Sequence, residues 1–529
     1  MKFLAIFVSI LLSAPSTEAA LELFPAPDLP PSPKFKVEVQ TGEGWQESYL
    51  NFNPARKEGL GAKDQPGRAT SWTTFGTSEP VKLRVTRLSG PGGKVSIRPS
   101  RFKITPHPTG RSSVEFTITP GQKLSVEFAA DVVPHAFTGP PHGVPCVVDS
   151  LMIFADQNKP GDPMTDYPEG MITRIKPGPH ARSLPVKNLP DIRADRCLPG
   201  LSKGKKVVHF LPGIHHLGYW QVPNSVEHLH FSPGVVVFEA IDVLPQNQHP
   251  GKVDLKKTYL DSWFQEELRS QFKITGPGIL SGAKLPWHLT KDFSYFEEDI
   301  YWSHIKLLQI AAKEIILEDL TMVDSPYWVL SFINDTDSRS RGRFENFKML
   351  GAWTYNNDGL PVPGGSDSVV RDAFIHANDD TFKLCNSNAR VENCVVWQGP
   401  NGATFQLGWF PKSVSNVHLK RIDLIHNENW YGVSRTNRAV INFADATGKG
   451  LIEDFHFEKI FMEGPLLRLF DLSAGGDQII CNFTFTNLHA GPLTAGHPGS
   501  RGRNHFSGKV SNFKFNNCTA GGKRFAIKR

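Results

Sequence analysis

The sequence has no apolar segment long enough to cross a bilayer, which takes about 20 residues in a helix; the run at its start, Phe3 to Leu12, is too short. None of its six cysteines, Cys146, Cys197, Cys385, Cys394, Cys481 and Cys518, forms a Cys-x-x-Cys pair. Zinc-ribbon and thioredoxin-like chemistry are thereby excluded. There is little excess charge either: 58 Lys and Arg against 52 Asp and Glu leave +6 over 529 residues, too weak for a nucleic-acid footprint. A neutral or mildly acidic partner fits that balance. No long helical stripe appears beyond Lys205, so the larger part of the chain is not helical.

Lys2, the short apolar run and the small residues around Thr17, Ala19 and Ala20 read as a secretory leader over residues 1–20. The expected location is therefore extracellular. In an oxidising compartment six cysteines allow up to three disulfides, with Cys481–Cys518 the preferred pair. Sequons at Asn334, Asn482 and Asn517 fit secretion.

After the Pro-rich lead-in Pro25 to Pro33, apolar residues fall at every second position in FKVEV, VKLRVTRL, KVSIRP, RFKITP, SVEFTIT and KLSVEF, separated by turn formers. Short alternating strands at this spacing predict an antiparallel β-sandwich, with DSLMIFAD as its last strand. It carries no constellation of acids, histidines or cysteines and reads as an accessory domain. A Pro-, Gly- and Asp-rich stretch then reads as linker.

Beyond it one pattern recurs: apolar, any, Asn or Asp, apolar, any, apolar. Its Asn or Asp falls at 319, 346, 372, 393, 416, 454, 482 and 512, at intervals of 27, 26, 21, 23, 38, 28 and 30. Units of this length that are β-branched and aromatic predict a right-handed parallel β-helix. The Asn or Asp would occupy a turn of unusual φ/ψ. A β-propeller, with blades near 40 residues, fits most intervals poorly. VVHFLPGIHHLG, VEHLHFSPGVVVFEA and FKITGPGILSG read as earlier coils. GPGILSG opens no helix, so it is no phosphate loop. His215-His216 and His228-x-His230 lack a third ligand and read as ordinary turn and strand residues.

The chemistry gathers between Trp353 and Trp409. Asp358 lies in Asn-Asn-Asp, and Asp379 and Asp380 lie in Asn-Asp-Asp about one coil later. Alone, each triplet could be a simple turn. Stacked coils lie about 4.8 Å apart, so the carboxylates can meet, and crowding would keep one of them protonated. Glycoside hydrolysis needs this pairing of a proton donor with a carboxylate that activates water or attacks carbon. Trp353, Tyr355 and Trp409, with Trp328 and Trp430 further off, could stack on sugars. Asp379 and Asp380 can share a face only at a bulge or strand end. Asp367, in the intervening LPVPGGSD, is a competing acid.

NND at 356–358 followed by NDD at 378–380 resembles the three-aspartate arrangement of polygalacturonases and, much more closely, of glycoside hydrolase family 49, the dextranase/isopullulanase family. VSIRPSRFKITPHPTGRSSVEFTITPGQKLSVEF and SLMIFAD resemble that family's N-terminal sandwich. VVHFLPGIHHLG, ITGPGILSG, NDDTFKL, FQLGW and IDLIH resemble successive parts of its β-helix. The resemblance implies an all-β chain, an N-terminal antiparallel β-sandwich followed by a right-handed parallel β-helix, and an inverting hydrolase of internal bonds in α-glucans such as dextran or pullulan. By position it makes Asp379 the general acid, gives the water to Asp358 and Asp380, and lines subsites with Lys383, Gln406 and Trp409. The Gly-His-Gly and Arg-Ile-Lys of polygalacturonases are missing after the aspartates.

The expected domains are a leader at 1–20, a β-sandwich at 21–160, a linker at 161–204 and a catalytic β-helix at 205–529. No cofactor and no metal is called for. The expected partner is a polysaccharide, with no nucleic acid and no membrane, and the chain is expected to act as a monomer. The alternatives are a hydrolase of an anionic polysaccharide, such as sulfated arabinan or pectin, and a non-catalytic carbohydrate-binding protein.

Overall fold

The computed structural model of the chain describes residues 21–55, 67–133, 144–159, 163–180, 202, 204–243, 269–285, 306–332, 341–354, 356–408, 413–429, 439–444, 449–493 and 504–524. No helix among them is long and apolar enough to cross a membrane. Two sheets form the sandwich. One runs Leu21–Leu23, Ala69–Thr77, Asp149–Gln157, Lys123–Phe128, Val95–Arg98, with Asn51–Pro54 also on Ala69–Thr77; the other runs Gly44–Ser48, Phe35–Thr41, Val81–Arg87, Ser113–Ile118, His107–Pro108.

Alternation explains the core. Phe35, Val37 and Val39, with Leu83, Val85, Val114, Phe116 and Ile118, face Leu124, Val126, Leu151 and Ile153 across the layers. RFKITP is the exception: Ser100–Phe102 is a 3₁₀ turn ending at Lys103 in the left-handed region, so its alternation builds no strand. The pairing of Ala69–Thr77 with Asp149–Gln157 is parallel, in an otherwise antiparallel sandwich. DSLMIFAD is apolar at consecutive positions because both its faces are covered. Leu151 and Ile153 point into the sandwich. Met152 and Phe154, with Trp72, pack on Val323, Leu350, Phe374, Val395 and Trp397 of the second domain.

Among the described residues the rest is a coil whose main sheet has 23 strands, parallel except for the last, Lys523–Arg524, which pairs antiparallel with Thr519–Ala520, beside a six-stranded parallel sheet on another face. The other strands pair in parallel with their counterparts one coil away, which rules out a propeller. The ladder opens at Ile172–Ile175, paired with Val207–Phe210, inside the stretch 161–204 expected to be linker. The three early coils form as expected. A Cβ at Gly276 would lie 2.1 Å from the Phe231 carbonyl oxygen, so this corner admits only glycine. Inside the bore phenylalanines stack coil on coil, Phe457 on Phe485 and Phe485 on Phe515, each with centroids 4.9 Å apart.

All eight repeat positions have positive φ, between 51° at Asn346 and 68° at Asp319. They nevertheless form two corners rather than one. Asp319, Asn346, Asp372 and Asn393 stack in register and continue through Arg421, Lys459, Asn487 and Asn517. Asn388, Asn416, Asp454, Asn482 and Asn512 form a second row. The short step from 393 to 416 crosses between rows; within either row that coil is 28 residues long.

Cys481 and Cys518 are free thiols, which corrects the expected pair. Cys518 is buried with its Sγ against the Phe485 and Asn516 carbonyls, whereas Cys481 lies part-exposed on the strand Ile479–Ala490. Cys146 and Cys394 are free as well; Cys197 and the Asn334 sequon lie outside the described residues. The sequon side chains Asn482 and Asn517 belong to the two rows, taking a hydrogen bond from Asn512 and giving one to Asn487, each 2.6 Å. The histidines are hydrogen-bonded in place: His215 with the Leu211 carbonyl at 2.8 Å, and His228 and His230 both with Thr275 Oγ1, at 2.7 and 2.9 Å.

Candidate active site

Four successive coils meet at one corner with Asn-rich turns. Asn357 is buried: its Oδ1 accepts from the Thr354 N–H and hydroxyl at 2.9 and 2.8 Å, and its Nδ2 donates to the Ser325 and Tyr327 carbonyls. With Asn356 at φ 58°, this locks the turn that presents Asp358. The Asn357 carbonyl then accepts the N–H groups of Asn378 and Asp379, both at 3.2 Å. The strand Phe374–Ala377 ends there, so Asp379 and Asp380 escape strand alternation and both reach the site. The next coil brings Asn401-Gly402, whose N–H groups bond the Asn378 carbonyl. A Cβ on Gly402 would sit 2.0 Å from the Asp379 carbonyl carbon; a side chain there is incompatible with the stack.

Asp358, Asp379 and Asp380 are all buried, and a carboxylate oxygen of each lies within 4.8 Å of the others. Asp379 Oδ1 accepts the Asp380 N–H at 2.8 Å and its Oδ2 accepts from the Asn401 amide. Asp380 Oδ1 accepts the Ala403 N–H at 3.0 Å. Lys383 Nζ is 2.8 Å from Asp358 Oδ2 and 3.3 Å from the centroid of the Trp328 ring. Burial first, then the charges of Asp358 and Asp380, push the Asp379 carboxyl well above the ordinary carboxylate range, with Lys383 pulling the other way. A carboxyl so raised beside two others is suited to donate a proton while its neighbours accept one. These carboxylates are also the group among the described residues able to converge on a cation, and Lys383 already supplies a positive charge there.

The other expected residues divide. Lys383 is in the site, and Gln406 is its partner one coil on. Gln406 is fully buried, its amide spent on the Leu407 carbonyl and on Asn442 Nδ2, at 2.6 and 2.8 Å; it supports the floor rather than meeting solvent. Trp353 is misplaced in the rim reading. It is 2% exposed, its ring against the Arg68 guanidinium at 4.9 Å and the His376 ring at 4.8 Å, so it is packed inside and not on a rim. Asp367 is exposed and does not join the cluster. Tyr355, Trp409 and Trp430 lie outside the described residues. Trp328, expected only at a distance, is brought to Lys383. Asn401 and Gly402 were missed because they carry no acid; their signal was the Pro-Asn-Gly at the same place in the next coil.

No protein-family model matches the chain. It is similar to a dextranase of Arthrobacter globiformis, with 23% identity over 479 residues covering 81% of this chain and 68% of the relative. It is similar to an isopullulanase of Aspergillus niger, with 24% identity over 413 residues covering 74% and 65%. The solved structure of Dex49A from Penicillium minioluteum superposes with a TM-score of 0.72 over 95% of this chain and 92% of that one, at 18% identity.

Proposed function

The chain belongs to glycoside hydrolase family 49, the dextranase and isopullulanase family, and from that premise we propose that it hydrolyses internal α-glucosidic bonds of a dextran-type glucan or of pullulan. The observation that carries this reading is the buried Asp379 carboxyl with Asp358 and Asp380 within 4.8 Å, its pKa raised by burial first and then by those two charges. Asp379 protonates the departing glycosidic oxygen; Asp358 and Asp380 hold the attacking water and take its proton. Lys383 fixes Asp358, and Lys383 with Trp328 borders the subsite.

Inversion is part of the proposal, on the strength of the family and of a third carboxylate that lets two acids bind water while Asp379 carries the proton. Oxygen separations within 4.8 Å lie nearer the retaining spacing of about 5–5.5 Å than the inverting range of about 6.5–9.5 Å, so distance does not support it. The first-formed anomer, read by proton NMR, decides: a retained configuration defeats the two-acceptor assignment.

The domain reading is a sandwich over 21–160 and a catalytic coil, with secretion supported by the leader pattern of residues 1–20 and action as a monomer by a site assembled within one chain. The anionic-polysaccharide reading is not favoured, since Lys383, the cation beside the aspartates, is already paired with Asp358. A passive binder has no use for a carboxyl held protonated in a cluster of acids. Incubation with dextran, pullulan and polygalacturonate, with products sized by chromatography, tests the function. Shortened dextran or pullulan is expected; cleavage of polygalacturonate alone, or binding of dextran with no new reducing ends, would sink it.

A further inference from the structure

The sandwich domain carries no acid of the reaction, yet it buries a charge directly behind the site. Arg68, just ahead of the strand Ala69–Thr77, is 1% exposed and Glu428 of the coil is wholly buried. The guanidinium grips the carboxylate with both arms, Nη1 to Oε2 at 2.5 Å and Nη2 to Oε1 at 2.8 Å, and its Nε donates to the Val147 carbonyl. Trp397 Nε1 donates to the same Oε1 at 2.9 Å. A bidentate pair with this many donors leaves Glu428 a single position.

From Glu428 two short arms reach the catalytic turn. Its N–H donates to the Gln398 carbonyl at 2.9 Å. The Gln398 side chain donates in turn to the Asp379 carbonyl at 2.9 Å and accepts from the Thr381 hydroxyl at 2.8 Å. The second arm is Asn429, whose Nδ2 donates to the Gly402 carbonyl at 2.5 Å; Gly402 lies against the peptide joining Asp379 to Asp380. A parallel route serves the other carboxylate. Asn53 of the sandwich, held by Trp72 Nε1 at 2.6 Å, donates to Asp324, and the neighbouring Ser325 carbonyl anchors Asn357 beside Asp358.

We propose that Arg68 is a positioning residue for hydrolysis: through Glu428, Gln398 and Asn429 the sandwich sets the peptide that carries both Asp379 and Asp380, so the N-terminal domain is part of the active-site frame. The proposal rests on the reading of Asp379 as the acid. It separates from a merely structural role because positioning loss appears in kcat, whereas loss of a buried ion pair appears in stability.

The test uses the full chain acting on dextran. Arg68→Met strands the Glu428 carboxylate, so melting temperature and kcat both fall, kcat by about 10²-fold as for a misplacement near 1 Å, with KM held within about twofold because substrate contacts are untouched. Arg68→Met combined with Glu428→Gln removes the stranded charge and keeps an oxygen for Trp397; melting temperature recovers and kcat does not. Gln398→Met, at the last link and outside the ion pair, reproduces the kcat loss. If kcat returns in step with stability in the double variant, or Gln398→Met leaves kcat unchanged, the proposal is overturned. Should Arg68→Met fail to fold, the double variant carries the test alone. A wild-type chain inactive on both dextran and pullulan would overturn the glucanase reading and this inference together; the variant outcomes overturn this one only.

Discussion

Two corners of the same coil are built from the same residue types, Asn and Asp, and do opposite things. At the outer corner each carboxylate meets an amide: Asn346 donates to Asp319 at 2.8 Å and Asn393 to Asp372 at 2.5 Å, part-exposed to solvent. At the inner corner, the cluster of Asp358, Asp379 and Asp380, carboxylates meet carboxylates, buried, with Lys383 in a salt bridge to Asp358. An amide ladder satisfies left-handed turns and is chemically quiet. Replacing the alternating amides by a second and third acid, and removing water, raises the cost of the charged state and stores a proton. What separates a turn from an active site here is who stacks on whom, not residue type.

The largest expected effect is on the inner corner's acceptors. Asp358→Asn and Asp380→Asn each lower kcat on dextran by on the order of 10²–10⁴-fold, the range for losing a general base, while circular dichroism stays native; near-normal rates in both would dissolve the distinction between the corners. Gly402→Ala comes next. Its Cβ would press on the Asp379 carbonyl carbon at 2.0 Å, so the turn must shift, and kcat falls by about 10²-fold; unchanged turnover would show that the stack does not set the acid.

A smaller effect sharpens the electrostatics. If Asp379 is the acid, as proposed, activity declines as pH rises through its raised pKa. Lys383 lowers that pKa; Lys383→Met therefore moves the alkaline limb of kcat to higher pH, and a shift to lower pH contradicts the assignment. The smallest effect belongs to the outer corner. Asn393→Ala loses one exposed ladder bond and a residue suited to φ 53°, about 1 kcal/mol of stability, seen as a melting point a few degrees lower with turnover unchanged.

The outer corner was the more legible of the two. Left-handed backbone selects Asn, Asp or Gly so strongly that all eight repeat positions could be located from the chain alone. Their division into two rows could not, since both rows use the same hexapeptide and coil lengths vary with loop insertions. Asp358, Asp379 and Asp380 were legible as a set because they fall about one coil apart. Asn401, Gly402 and Gln398 were not, because their work is to hold a backbone and they carry no charge to advertise it. Trp353 was placed on the wrong side: an aromatic side chain packs equally well against a sugar or against Arg68. Arg68 itself, 360 residues from Glu428, belongs to a pairing that only the docked domains reveal.

One chemical change made at both corners tests the central claim. Asp379→Asn and Asp372→Asn are compared for reducing ends released from dextran and for melting temperature at neutral pH. Because the folded pKa of Asp379 lies above its unfolded value, this carboxyl destabilises the fold increasingly as pH rises from the unfolded pKa through the folded one. Asp379→Asn should therefore abolish hydrolysis and melt higher than wild type, while Asp372→Asn keeps turnover within about twofold. Full activity in Asp379→Asn, or equal losses at the two corners, would contradict the account.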